Sequence, residues 1–183
     1  MPATIPYMQL SNKIKEAIRD VPDFPKPGIL FKDITPIFLD PKLCNEITDA
    51  FCRSFSKEKP DAIIGIESRG FLFGMLMASW LNIPFIMVRK KGKLPSKTVS
   101  QEYNLEYGTA TIEVHTGMIK KGWNVLIHDD LLATGGTAKA AAEIVQKCGA
   151  KVAGFTFVVA LDFLKGEKQL TNYSKNIQCL VHY

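Results

Sequence analysis

Residues 125–137 read Val125-Leu-Ile-His-Asp-Asp-Leu-Leu-Ala-Thr-Gly-Gly-Thr137, and this segment carries the strongest local signal in the sequence. An apolar run typical of a strand leads into Asp129 and Asp130, then into a turn of small residues, and an alanine-rich helical pattern follows. Such a turn leaves backbone N–H groups of residues 133–137 unpaired at the start of a helix, where they can bind a phosphate group. The two carboxylates then lie at the carboxyl edge of the strand, where open α/β sheets bind ligands and where ligand hydroxyl groups can donate to them.

Helical and strand patterns alternate along the rest of the chain. Apolar spacing predicts helices over residues 7–19, 41–56, 71–81 and 138–147, and short apolar or β-branched runs predict strands over residues 61–66, 84–88, 124–127, 151–161 and 177–182. Strands that alternate with helices form parallel sheets with helices on both faces. We therefore expect an α/β fold with an open, mainly parallel sheet flanked by helices.

Two segments fit neither pattern. Residues 23–36 contain three prolines, which forbid a long helix, while their apolar side chains need a surface to cover. We interpret residues 1–36, which include them, as an ordered hood. Residues 90–107 are polar and show weak periodicity, which indicates a long loop. Because long loops in compact domains are commonly functional, we expect a mobile flap over residues 91–107.

Length and composition favour a single domain over residues 1–183, because 46% of the residues are hydrophobic and can form one buried core. The net charge of +5 is dispersed apart from a basic cluster at residues 89–93, which argues against a nucleic-acid surface and for a local anion site. Four scattered cysteines indicate a reducing compartment. Met1–Leu10 lacks an export signal and no apolar run has the length of a membrane span, so we expect a soluble, cytoplasmic protein without membrane or nucleic-acid partners.

Two further segments are typical of anion binding. In Gly65-Ile-Glu-Ser-Arg-Gly-Phe71 a strand ends in a tight polar turn before a helix. The backbone N–H groups of residues 68–70 and the bidentate guanidinium group of Arg69 are therefore suited to bind a second anion. Taken alone, this segment is better explained as a helix N-cap by Glu67 or Ser68 with Arg69 exposed. The other segment is Arg89-Lys-Lys-Gly-Lys-Leu-Pro95; a charge run is usually a solvated face, but this one accompanies two anion-binding turns.

Residues 125–137, with their Asp-Asp and Thr-Gly-Gly-Thr pattern, resemble the phosphoribosyl-diphosphate motif of the type I phosphoribosyltransferases. The segments Phe24-Pro-Lys-Pro-Gly-Ile-Leu-Phe-Lys-Asp-Ile-Thr-Pro36 and Leu105-Glu-Tyr-Gly108 are similar to those of the adenine-specific members, and the resemblance covers the chain from the first helix almost to its end. It implies the type I phosphoribosyltransferase fold and a homodimer. It also implies a purine-salvage reaction in which the donor, 5-phosphoribosyl 1-diphosphate, and adenine give AMP and pyrophosphate with Mg²⁺.

The resemblance also implies roles for individual residues. The 5-phosphate and ribose of the donor are bound by Asp129, Asp130, Ala133, Thr134, Gly135, Gly136 and Thr137, and its pyrophosphate by Glu67, Ser68, Arg69, Gly70, Arg89, Lys90 and Lys93. Leu30, Phe31, Lys32 and Leu161 contact adenine, Glu106 and Arg69 act in catalysis, and Tyr107 belongs to the flap. Arg89 is the candidate for a contact across the dimer. Mg²⁺ meets mainly ligand and water oxygens, and no direct protein bond to it is assigned.

Two positions depart from the family pattern. His128 stands where an apolar residue is common, and we interpret it as a core histidine, the alternative being a contact behind the acidic pair. Lys32 stands where an arginine is common, so that arginine's side-chain contacts are not carried over. Two other functions stay open: salvage of another purine base, and a regulatory protein that keeps the donor site but binds RNA or DNA. Glu106 and the hood favour the enzyme.

Overall fold

A seven-stranded sheet forms the centre of the protein, for which a computed structural model describes residues 7–104 and 108–183. The helices are α1 (Tyr7–Ala17), α2 (Pro41–Ser54), α3 (Gly70–Leu81), α4 (Gly136–Lys147) and the short α5 (Glu167–Leu170). The strands are β1 (Arg19–Pro22), β2 (Leu30–Asp33), β3 (Ala62–Ile66), β4 (Phe85–Lys90), β5 (Thr98–Asn104), β6 (Thr109–His115), β7 (Asn124–Leu132), β8 (Lys151–Ala160) and β9 (Ile177–His182). Two 3₁₀ turns, Thr35–Leu39 and Asp162–Leu164, lie in the connections.

The strand order in the sheet is β5-β6-β4-β3-β7-β8-β9. The five strands from β4 to β9 in this order are parallel to their neighbours, whereas β6 is antiparallel to both β4 and β5. From β3 the chain first adds β4 on one side and later β7 on the other, so the strand order reverses between β3 and β7. Ligands of open α/β sheets bind at such a switch point, outside the carboxyl ends of the strands. The expected mainly parallel α/β sheet is confirmed.

The core lies on both faces of the sheet. Helices α1, α2 and α3 cover one face, where Phe51, Phe73 and Ile63 are fully buried, and α4 covers the other, where Ile64 and Phe155 are fully buried. Consecutive residues of β3 thus enter opposite cores, which is why this strand is apolar throughout. The sequence also sets the helix starts: Asp40 caps α2 by accepting from two backbone N–H groups, and a proline follows it.

The structure corrects two sequence-based boundaries. The first helix ends at Ala17, and Arg19–Pro22 instead pairs with Leu30–Asp33 as an antiparallel hairpin in the hood. The strand predicted over residues 124–127 continues to Leu132, so the acidic pair lies within it rather than after it. This strand is longer because its polar second half still pairs with β8 as far as Ala160.

The long loop predicted over residues 90–107 is wrong for residues 98–104, whereas residues 91–97 do form a turn and irregular structure. Residues 98–104 form β5, which pairs along its whole length with β6, a strand that the sequence reading missed. β5 is the edge strand of the sheet and is polar, yet its side chains alternate between half-buried and exposed from Val99 onward. Lys147 Nζ donates to Ser100 O at 3.0 Å and connects β5 to α4.

Within the described residues, no helix is long and apolar enough to cross a membrane.

His128 lies in the core, one residue before the acidic pair. Its side chain is fully buried, its Nδ1 lies 2.9 Å from Thr156 Oγ1, and the rings of Phe51 and Phe73 meet it at steep angles. Burial lowers the pKa of His128 to about 3, so the ring is neutral at physiological pH. The core interpretation is confirmed, although Nε2 has no hydrogen-bond partner among the described residues.

The buried His128 predicts a loss of stability in mild acid. The unfolded chain takes up a proton on this residue near pH 6.5, whereas the folded protein excludes that proton until the pH falls to about 3. Its contribution to stability is therefore complete above pH 6.5 and decreases below it, by about 1.4 kcal/mol per pH unit. Urea unfolding between about pH 7 and pH 5 should show a steeper decline in the free energy of unfolding for the parent than for His128→Leu. Parallel pH profiles would contradict this assignment.

Candidate functional site

The 133–137 loop joins β7 to α4 at the carboxyl edge of the sheet. Gly135, which immediately precedes α4, has a φ of +84°, a conformation that other residues rarely adopt. The N–H groups of residues 133–137 donate to no partner in the described part of the chain. They are therefore available to an anion, and the dipole of α4 favours negative charge at the same place. The loop has the geometry expected of a phosphate cradle.

The 67–70 loop lies beside it, because β3 and β7 are neighbours in the sheet. The N–H groups of residues 68–70 likewise donate to no described partner, and the Glu67–Ser68 peptide is cis. Glu67 does not cap α3, which has no side-chain cap: Glu67 Oε2 accepts from Arg89 Nε at 3.2 Å and from Lys90 N at 3.0 Å. Burial acts to raise the pKa of Glu67, but these two hydrogen bonds and the two cations hold it below its usual range. The N-cap interpretation is wrong.

The acidic pair lies near the end of β7, between the two loops. Arg69 Nε is 2.6 Å from Asp130 Oδ2, but the pairing is not aligned as a normal hydrogen bond, and this buried oxygen accepts none from the described residues. Burial and, next, the neighbouring charge of Asp130 raise the pKa of Asp129 well above its usual value. A raised pKa favours the protonated carboxyl group, which can donate as well as accept. The pair therefore suits a ligand with several hydroxyl groups.

The basic cluster folds into a turn at the end of β4. Arg89 Nη1 donates to Lys93 O at 3.1 Å, and the buried Glu113 of β6 accepts from Gly92 N at 2.9 Å. These contacts fix the turn beside the 67–70 loop. Lys90 lines an open depression of about 370 Å³ together with that loop and the acidic pair. Cationic, anionic and free N–H groups thus surround one space.

The hood reaches this space through Phe31. The Arg69 guanidinium lies 5.1 Å from the centroid of the Phe31 ring, and Phe24 packs edge-on against the same ring at 5.1 Å between centroids. Leu30 beside it is half-exposed. On the other side, Leu161 follows β8 and donates its N–H to Leu132 O at 2.9 Å, which brings it to the same edge of the sheet. The predicted base-contacting residues therefore lie at the edge that carries the acidic pair.

Lys32 stabilises the hood rather than facing solvent. Its Nζ lies 2.7 Å from Asp20 Oδ1 and 3.9 Å from the centroid of the Tyr183 ring. An ion pair and a cation–π contact therefore take the place of any arginine contact at this position. The base of the hood is also fixed at Asp33, where hydrogen bonds from Thr35, followed by the Arg19 guanidinium, lower the pKa of the carboxyl group to about 2.

Strand β5 ends at the 133–137 loop. A Cβ atom built on Gly136 would lie 3.4 Å from Asn104 O and 3.5 Å from the Tyr103 ring. A cavity of about 530 Å³ between β5 and the start of α4 opens onto this contact. The predicted site residues Glu106 and Tyr107 follow directly in the sequence and lie outside the described residues.

Three supporting residues were missed by the sequence reading. Glu113 was missed with its strand, although the alternation in Thr-Ala-Thr-Ile-Glu-Val-His115 was a usable signal. Gly166 and Gln169 lie behind the 133–137 loop: a Cβ atom on Gly166 would lie 2.2 Å from Ala133 O, and Gln169 Nε2 donates to Thr134 O at 2.9 Å. No local pattern marks these two residues, because their roles depend on a contact between distant segments.

Comparison with known proteins supports one family. Residues 37–182 match the model of the phosphoribosyl transferase domain. A protein from Cytophaga hutchinsonii named adenine phosphoribosyltransferase is 49% identical over 174 residues, which are 95% of this chain and 96% of that protein.

Solved structures agree with this result. The crystal structure of adenine phosphoribosyltransferase from Thermoanaerobacter pseudethanolicus superposes with a TM-score of 0.90 at 45% identity, covering 94% of this chain and 99% of the other. The Saccharomyces cerevisiae enzyme, solved with D-2,5-dideoxy-2,5-imino-altritol 1,6-bisphosphate and adenine, has a TM-score of 0.88 at 41% identity and covers 94% of this chain and 99% of its own.

Proposed function

The chain belongs to the adenine phosphoribosyltransferases, a branch of the phosphoribosyltransferase family, and we propose that it performs the reaction for which that branch is named. It transfers the phosphoribosyl group of the donor, 5-phosphoribosyl 1-diphosphate, to adenine, and releases AMP and pyrophosphate. One observation supports this above the others: two loops of free backbone donors flank an acidic pair at the switch point of the sheet. The donor carries a 5-phosphate, a ribose and a diphosphate in this order, which matches one donor loop, the acidic pair and the other donor loop.

The donor is bound at its two ends. The 133–137 loop holds the 5-phosphate through backbone N–H groups, and Asp129 and Asp130 bind the ribose hydroxyls. Because Arg69 covers Asp130 Oδ2, a hydroxyl group reaches this oxygen only when the guanidinium moves aside. Such a movement frees Arg69 for the negative charge at the neighbouring 67–70 loop.

The leaving group is the pyrophosphate. The carbon under attack gains oxocarbenium character as that group departs, so the protein has to hold both ends of the donor and neutralise the departing charge. The N–H groups of residues 68–70, with Arg69, Arg89, Lys90 and Lys93, supply positive charge and donors there. No covalent intermediate with the protein is required.

The base enters between the hood and the end of β8. The backbone at Leu30 and Lys32 reads the edge of adenine, with Phe31 between them, and Leu161 covers the other face. Backbone recognition is compatible with the Lys32 side chain, which is already engaged with Asp20 and Tyr183. Glu106 manages the proton at a purine nitrogen as the glycosidic bond forms.

Mg²⁺ is held mainly by the donor's diphosphate and by water, as is usual for this ion. Among the described residues, no cluster of three His, Cys, Asp or Glu side chains has the arrangement of a metal site. The acidic pair nevertheless offers the oxygen ligands that Mg²⁺ prefers, and Asp130 Oδ2, although it lies beside the Arg69 guanidinium, accepts no hydrogen bond from the described residues, so these two carboxylates would fit an ion bound together with the donor. When bound, the ion neutralises charge on the diphosphate. The cysteines are free thiols, which supports a cytoplasmic location.

We also propose a homodimer built on the outer face of α3. Large apolar side chains that are 40–53% exposed lie together on this helix and on the adjacent β4: Leu72, Met75, Leu76, Trp80 and Met87. A second copy of the chain covers such a face symmetrically. The helix begins at Gly70, within the 67–70 loop, and β4 ends at the basic cluster, so the interface adjoins the pyrophosphate subsite. At this position the Arg89 side chain lies where it can contact the neighbouring subunit.

Leu76→Arg is expected to convert the dimer to a monomer, because it places a charge within this apolar face. Sedimentation velocity measures the change. Met118→Arg is the matched control, since Met118 is similarly exposed but follows β6, far from α3 in the chain. A parent that sediments as a monomer, or a Leu76→Arg variant that stays dimeric, contradicts this interface.

A panel of purines tests the choice of base. The parent enzyme with donor and Mg²⁺ is assayed for pyrophosphate release with adenine, hypoxanthine, guanine and xanthine. We expect kcat/KM for adenine to exceed that for each other base by at least about 100-fold, because recognition through hydrogen bonds rejects a base whose donors and acceptors are reversed. A larger kcat/KM for one of the other bases would contradict the assignment of adenine and identify that base as the preferred substrate.

A further inference from the structure

The segment from Asp162 to Leu170 crosses directly behind the 133–137 loop. Gln169 Nε2 donates to Thr134 O at 2.9 Å. Gly166 packs against the same loop so closely that a Cβ atom would lie 2.2 Å from Ala133 O and 3.1 Å from Gly135 N. In return, a Cβ atom on Gly135 would lie 2.6 Å from Gly166 O. The two segments therefore fit each other without space for a side chain between them.

The hydrogen bond from Gln169 orients a particular peptide. The carbonyl group of Thr134 and the N–H group of Gly135 belong to one planar trans peptide, so the two groups point in opposite directions. When the carbonyl oxygen is held toward Gln169, the Gly135 N–H is turned away from it. That N–H donates to no partner within the described residues, so it is available to a ligand.

We propose that Gln169 and Gly166 are positioning residues for the donor's 5-phosphate: Gly166 provides the close backing of the loop, and Gln169 fixes the Thr134–Gly135 peptide so that the Gly135 N–H faces the phosphate. The inference rests on the proposed function, because it takes the 133–137 loop as the 5-phosphate subsite. Neither residue touches the reacting atoms. Their effect reaches the ligand through the orientation of the loop backbone.

Gln169 is suited to this role because its loss does not disturb the core. Its side chain is exposed, whereas Gly166 and Leu170 are buried and hold the segment in place. Its amide group makes one hydrogen bond in the described structure, the bond to Thr134 O. Removal of that amide therefore frees the peptide to rotate while the packing behind it stays intact.

The test compares Gln169→Ala with Lys168→Ala, an exposed neighbour on the same short helix. We expect Gln169→Ala to raise the apparent KM for the donor (the donor constant) about three- to tenfold, which corresponds to the free energy of one hydrogen bond. The apparent KM for adenine (the adenine constant), kcat and the melting temperature should stay close to the parental values. Gln169→Glu should raise the donor constant further, because a carboxylate cannot donate to Thr134 O and repels a phosphate. Lys168→Ala should leave the donor constant unchanged within about twofold.

The outcomes separate this inference from the proposed function. If the parent makes no AMP from adenine, the proposed function fails and the inference fails with it. If the parent is active and Gln169→Ala keeps the parental donor constant, the inference alone is overturned. A rise in the donor and adenine constants together, or a loss of melting temperature that accounts for the loss of activity, also overturns it, because each indicates a merely structural residue.

Discussion

Gly135→Val is expected to raise the apparent KM for the donor about 100-fold, with a much smaller effect on the apparent KM for adenine. The reason is the position of the new side chain. Gly135 has a φ of +84°, and its Cβ atom would lie 2.6 Å from Gly166 O, so the 133–137 loop has to shift. A shift of that loop misdirects several N–H groups at once, and each such bond to a charged phosphate contributes about 1.5–3 kcal/mol. Steady-state kinetics with each substrate varied in turn measures the two constants.

Gly117→Val is the matched control for this variant. Gly117 has nearly the same φ, +83°, but nothing lies within 4 Å of its Cβ position. It follows β6, which is antiparallel to β4 and therefore ends at the edge of the sheet opposite the 133–137 loop. Both variants carry the same intrinsic backbone strain, so a difference between them reports on the loop itself. An equal increase in the donor constant for both variants would remove the phosphate role of the 133–137 loop.

Glu106→Gln is expected to lower kcat by about 100-fold or more at saturating adenine and donor, while both apparent substrate constants change little. The substitution keeps the size of the side chain but removes the ionisable carboxyl group that we assign to proton transfer at the purine. The assignment rests on the resemblance of residues 105–108 to the family and on the end of β5, which lies against Gly136. Glu106→Leu should be at least as damaging.

Glu16→Gln provides the control for Glu106→Gln, because Glu16 is exposed on α1 and is not among the residues assigned to the site. It should keep kcat within about twofold of the parent. A kcat for Glu106→Gln within a few-fold of the parent would reduce Glu106 to a flap residue. Positioning and charge neutralisation would then remain as the mechanism.

The parts of the fold that the sequence predicts are those with buried, regular patterns. The apolar runs of β3, β7 and β8 and the small-residue turn at residues 133–137 marked the centre of the sheet and its switch point. The edge strand β5 and its neighbour β6 were missed, since both are polar at many positions and are stabilised by pairing with each other and, for β6, with β4. Their alternation was a weak signal that directly follows the lysine-rich stretch 90–97, which also contains a glycine and a proline.

The candidate site shows the same division. The residues that face the ligand space, such as Asp130, Arg69 and Lys90, follow from local motifs at the ends of strands. The residues behind them do not, because Glu113, Gly166 and Gln169 act through contacts with segments distant in the sequence. Motifs therefore locate the binding groups, while only the folded chain shows what holds those groups in place.

Formation of AMP and pyrophosphate by the purified protein is the decisive measurement of the proposed activity. The protein is incubated with adenine, the donor and Mg²⁺, and AMP and pyrophosphate are quantified separately by chromatography. The account predicts that both products appear in equal amounts, that neither forms without adenine, and that chelation of Mg²⁺ stops the reaction. Folded protein that binds the donor yet makes no AMP from adenine would contradict it.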